Sequence, residues 1–248
     1  METERSATAS RLQAVVQEFA SAVVPALRGG GGRSDVLGSV LTGADDPVAL
    51  AAARVLGADV LAPCTLAGKT PTDADVALVG AAVSAYPPGS GASAATAWTH
   101  WGMCAALERA RAAGAGGTAP PGAPDGAAPA TDWVAAESWQ RVTHQLAQVA
   151  SLAVPGMPSA LADAVARRPV DLSRGFVRAV RRRDWLQAAG AGRWLATTEG
   201  VPESLCLDTG LEFVHHMGAA ADARVALHVR AARLARETAL LAQDRAGV

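Results

Sequence analysis

The sequence predicts an all-α fold, either a multi-helix bundle or two packed helical halves, on three observations. Apolar residues recur at steps of three and four through most of the chain. Caps and stops punctuate those runs, and no segment sustains the period-two alternation of a half-buried strand.

The first run places Leu12, Val15, Val16, Phe19, Val23, Val24 and Leu27 on one face, which predicts a helix over about 8–27 that stops at the glycines 29–32. Ser34 is the expected cap of a short helix after them. Asp46 then supplies a cap and Pro47 a first helical residue whose missing N–H costs nothing there, predicting a helix that ends near Pro63. Thr72 and Asp75 stand in capping-box spacing before a helix stopped by Pro87, Pro88 and Gly89. A longer helix over about 93–113 carries Trp98, His100, Trp101 and Cys104.

From 114 to 131 the chain is almost all Gly, Ala and Pro, with side chains too small to offset the entropy of ordering them, and it reads as a flexible linker. It separates an N-terminal helical half, 1–113, from a C-terminal one, 132–248. Whether the halves form one domain or two stays open, and a stacked array of helix pairs would need a repeat at fixed period that the chain does not show. In the second half, Asp132 is expected to cap a helix running to about Ala153, where Val154–Pro158 breaks it. Further helices are expected over about 159–166, 172–183, 185–197, 202–217 and 222–243.

At 248 residues the chain is long enough to bury a sizeable core, but alanine supplies much of its apolar half and large side chains are few, six Trp, three Phe and one Tyr, so helices must approach closely. A net charge of −1 argues against coating nucleic acid, leaving it the less favoured partner. Cys64, Cys104 and Cys206 show no zinc-ligand spacing and read as reduced, mostly buried thiols. An acidic opening where a signal peptide would be basic, and no unbroken run of about eighteen apolar residues, lead to the expectation of a cytoplasmic protein with no membrane partner.

Two polar clusters remain. Glu212 and His215 have the three-residue spacing that carboxylate-bridged metal bundles use from two helices, but no second such pair exists. At 100° per residue, Glu212, His215 and His216 face away from the stripe of Leu207, Leu211 and Val214, and Glu137, Arg141, His144 and Gln148 face away from Trp139, Val142, Leu146 and Val149. A metal or small-molecule site therefore requires a cleft in which two helices bring Glu137 and His144 toward Glu212 and His215. His100 falls with Met103, Cys104 and Leu107, and His228 with Ala231, Ala235 and Ala239; both read as packed histidines.

The second cluster is 167–185, with seven Arg and two Asp. Arg174, Arg178 and Arg181 recur at steps of four and three, and with Arg182 and Trp185 they form the best candidate contact surface, since guanidinium forks suit carboxylates and phosphates. No Walker-type phosphate loop, dinucleotide fingerprint or nucleophile motif is present. The expectation is a helical interaction or adaptor protein that binds an acidic or phosphorylated partner, protein or small ligand, through this helix. The alternative is a helical-bundle enzyme with a metal or small-molecule site lined by His144 and His215. No cofactor is indicated.

Overall fold

The clearest helix start in the sequence forms as its residues dictate. In the computed structural model, which describes residues 2–29, 32–36, 46–114 and 127–246, Asp46 caps the helix by accepting from the Val48 N–H, and Pro47 occupies its first turn. The chain is all-α apart from one two-residue strand pair, and it divides into two compact units, Met1–Pro124 and Asp125–Val248. That division falls inside the segment read as linker, of which residues 115–126 lie outside the described residues.

The first unit comprises α1 (Glu2–Ala26), α2 (Pro47–Leu56), α3 (Ala62–Ala67), α4 (Asp73–Ala85) and α5 (Ala94–Gly114). Helix α1 packs on α2, α2 on α4 and α4 on α5. Phe19, Val23, Leu61, Leu78, Trp98 and Met103 are among its fully buried side chains. The capping box forms at Thr72 and Asp75, and buried Asp75 also accepts from the Val36 N–H at 3.5 Å.

Two expectations are corrected here. Ser34 does not cap a helix but pairs with Pro71 in a short parallel ladder, β1 (Arg33–Ser34) with β2 (Thr70–Pro71), while residues 37–45 lie outside the description. The helix begun at Pro47 does not reach Pro63, because Gly57 leaves helical geometry at φ 63° and a tighter 3-10 turn, Gly57–Leu61, leads into α3. The stretch Pro47–Ala67 is long and apolar enough by composition to cross a membrane, yet 61% of its apolar window is buried and it is broken at Gly57, as suits a core segment.

The second unit comprises α6 (Asp132–Ala136), α7 (Trp139–Gln148), α8 (Ala160–Val165), α9 (Pro169–Arg181), α10 (Trp185–Ala196), α11 (Leu207–Gly218) and α12 (Ala223–Ala246). Helix α10 is its axis, packed by α7, α9, α11 and α12, with residues 188–195 all buried. Its small side chains permit this: a Cβ on Gly190 would sit 2.9 Å from the Ala147 backbone of α7. Likewise, a Cβ on Gly175 would fall 2.0 Å from the Thr143 hydroxyl, so α9 lies directly against α7.

The single helix expected over 132–153 is three pieces. Glu137 and Ser138 are extended, with ψ 158° and 150°, and the carbonyls of Val134 and Glu137 accept from Arg168, whose guanidinium is held by Asp171 at 2.6 Å. A 3-10 turn, Ala150–Leu152, follows α7. The helix expected over 202–217 also divides: a 3-10 turn, Glu203–Leu205, is turned into α11 by Cys206 in left-handed conformation (φ 48°). Cys206 is exposed, not buried, whereas Cys64 and Cys104 are partly buried.

Candidate anion-binding site

The outward face of α9 is a stripe of Val170, Arg174, Val177, Arg178 and Arg181, steps that keep them on one side of the helix. The opposite side, Leu172, Phe176 and Ala179, is buried. Val170 and Val177 are nearly half exposed. They form, with Trp139, Ser173, Arg174, Arg178, Arg181, Arg182, Pro202, Ser204 and Leu205, an open groove of about 800 Å³. Four of the five residues read from sequence as a contact surface therefore line one cavity.

The arginines differ in how they are engaged. Arg174 donates to Asp171 at 3.3 Å, sharing that carboxylate with Arg168. Arg178 lies 5.7 Å from the centroid of the Trp139 ring, a cation–π contact that holds the guanidinium at the groove without neutralising it. Among the described residues, Arg178, Arg181 and Arg182 make no ion pair. Asp171 is thus the acid paired at helix spacing on this face, and the charge of Arg178, Arg181 and Arg182 beyond it is concentrated without an acidic partner among the described residues.

Two left-handed backbone positions adjoin the groove's lining residues in sequence. Arg183 (φ 59°) and Cys206 (φ 48°) are the non-glycine residues with positive φ among those described. One directly follows Arg181 and Arg182; the other directly follows Ser204 and Leu205 of the facing wall. Left-handed geometry costs such residues roughly 1–2 kcal/mol and tends to persist where a site requires it. Sequence reasoning missed this facing wall and the Trp139 junction, because both depend on chain breaks with no strong local signal.

A smaller cavity of about 220 Å³ continues from the groove, sharing Trp139, Arg178 and Arg182 with it. Its other lining residues are Gln140, Thr143, His144, Gly175, Asp184 and Gln187. His144 Nδ1 is hydrogen-bonded to Gln187 Oε1 and His144 Nε2 to Gln148 Nε2, each at 3.1 Å. Asp184 caps α10 by accepting from the Gln187 N–H at 3.2 Å.

The remaining sequence candidates separate. Trp185 does not line the groove; it stacks edge-on against Phe213 at 5.9 Å, under Gly218, in the packing of α10 on α11. Glu137, His144, Glu212 and His215 are not assembled into a ligand set. Glu137 pairs with Arg141 at 3.3 Å, His144 is taken up by two glutamines, and Glu212 and His215 are exposed on α11. Among the described residues, no three His, Cys, Asp or Glu side chains lie within reach of one metal ion. His144, Glu212 and His215 face outward as helix geometry leads one to expect, with Leu207, Leu211 and Val214 buried on the other side of α11, whereas Glu137 lies in the extended break before α7.

His228 is not simply packed among alanines. Its Nδ1 faces Arg193 Nη1 at 3.3 Å, and Arg193, fully buried, also donates to the carbonyls of Ala153 and Ser151. This arginine belongs to the core, not the basic face. His100 is half-buried, with Nδ1 out of water and no hydrogen-bond partner among the described residues; burial first, then the neighbouring Arg54 guanidinium, push its pKa down. Comparison with protein-family models, curated proteins and solved structures matches none of them to the chain.

Proposed function

We propose that the protein is a cytoplasmic interaction or adaptor protein whose second unit binds an acidic or phosphorylated partner in the groove of α9. The observation that carries this reading is that Arg178, Arg181 and Arg182 converge on one apolar-walled groove without carboxylate partners among the described residues. Guanidinium forks placed beside apolar surface bind anionic groups more strongly than they do in open water, because the apolar walls exclude competing solvent. Val170, Val177, Pro202 and Leu205 give an apolar residue of the same partner a place to bury, at about 25 cal/mol per Å² of apolar area covered. Unbridged Cys64, Cys104 and Cys206 accord with a reducing compartment.

The test is fluorescence anisotropy with a short labelled peptide in which glutamates flank leucine. Binding is expected to weaken with added salt, because the charges are exposed, and to fall by at least about thirtyfold when Arg178 and Arg182 are both changed to Glu. Binding that survives the double charge reversal, or no binding by the unaltered protein at low salt, would overturn the proposal.

A further inference from the structure

The small cavity beside the groove differs from it in charge. Arg178 and Arg182 line it with two guanidiniums, Asp184 contributes a carboxylate, and His144 is hydrogen-bonded on both ring nitrogens, to Gln187 and Gln148. Asp184 makes no ion pair among the described residues, so its charge is not already spent on either arginine. Two guanidiniums against one carboxylate leave the niche one positive charge in excess.

We infer that this niche is a carboxylate-selective subsite, in which Asp184 sets the choice of a side-chain or terminal carboxylate of a protein partner over a phosphate. The inference rests on the groove reading above and sharpens it from an acidic or phosphorylated partner to an acidic one. A carboxylate brings one negative charge and neutralises the niche. A phosphomonoester brings about 1.5–2 negative charges at neutral pH and leaves an excess beside Asp184.

The direction is distinctive because bare arginine clusters favour phosphate, whose three oxygens accept more hydrogen bonds than a carboxylate's two. Gln140, Gln187 and Thr143 complete the lining with neutral groups that serve either anion. Selectivity therefore falls to the one fixed negative charge. Asp184 is also held in place: its capping bond to the Gln187 N–H fixes the carboxylate at the rim, and the left-handed turn at Arg183 sets it against Arg182 in sequence.

The experiment compares the labelled glutamate–leucine peptide with a twin carrying phosphoserine in place of one of its glutamates, both against the full chain, at neutral pH and fixed salt. The unaltered protein is expected to bind the glutamate peptide at least about fivefold more tightly, and Asp184→Asn to shift the ratio by about fivefold toward the phosphopeptide. Asparagine caps helices as well as aspartate, so the variant loses the charge and keeps the helix start; Asp184→Ser, another capping residue, should behave alike. Equal or phosphate-favouring binding in the unaltered protein, still abolished by reversing Arg178 and Arg182, would overturn carboxylate selectivity and leave the groove standing. A ratio unmoved in both Asp184 variants would remove Asp184 from the role. Failure of both peptides to bind the unaltered protein would overturn the groove reading itself.

Discussion

At His100, burial and the Arg54 guanidinium both disfavour the imidazolium, against a smaller opposing effect of the Tyr86 backbone. The folded pKa is thereby lowered from the ordinary value of 6.5, so below that value the unfolded chain binds more protons than the folded one. The contribution of His100 to the stability of the first unit is fully present above about pH 6.5 and is lost as pH falls through the unfolded value toward the folded one. Thermal unfolding followed between about pH 7.5 and pH 5 should show this decline, and His100→Gln should flatten it. Equal slopes in the two proteins would remove His100 as the source. The sequence placed His100 near Met103 and Cys104 correctly by helix spacing, but Arg54, from another helix, was invisible to it. The same holds for Arg193: a guanidinium buried against His228 and two carbonyls looks, in sequence, like one more member of a basic run.

At the scale of the element, α9 shows what helix periodicity does and does not reveal. Its faces follow from spacing alone: Leu172, Phe176 and Ala179 are buried, and Arg174, Arg178 and Arg181 face out. Its end follows from backbone bonds that the sequence disguises. The Asp184 N–H donates to Ala179 O and the Arg183 N–H to Val180 O, the paired closure that ordinarily places glycine where Arg183 stands at φ 59°. Arg183→Gly is therefore expected to stabilise the unit by about 1 kcal/mol, read as a higher denaturant midpoint at unchanged slope. An unchanged or lowered midpoint would mean that the left-handed turn carries no strain. The break in the helix expected over 132–153 has a similar cause: the sequence there is helix-compatible, and Arg168, thirty-odd residues on, accommodates the extended Glu137 by satisfying the carbonyls that the break releases.

Across the whole molecule, the all-α class was legible because it rests on local signals, periodicity and caps. The candidate site was legible by half. Four arginines could be read from one helix, but the groove needs Trp139 from α7 and Pro202, Ser204 and Leu205 from a turn beyond α10. Trp185, adjacent in sequence, was drawn into the surface by proximity and belongs instead to the α10–α11 packing with Phe213. His144, first of interest as a metal ligand, lies in the niche that opens from the groove, bonded to Gln187 and Gln148.

The most direct test of the groove as the binding surface is backbone-amide and indole chemical-shift mapping during titration with the glutamate–leucine peptide. Shifts are expected to concentrate on Val170 to Arg182, on Glu203 to Leu205 and at the Trp139 indole. Shifts confined to the exposed Phe213 and Met217 beside Trp185, with α9 silent, would contradict this expectation.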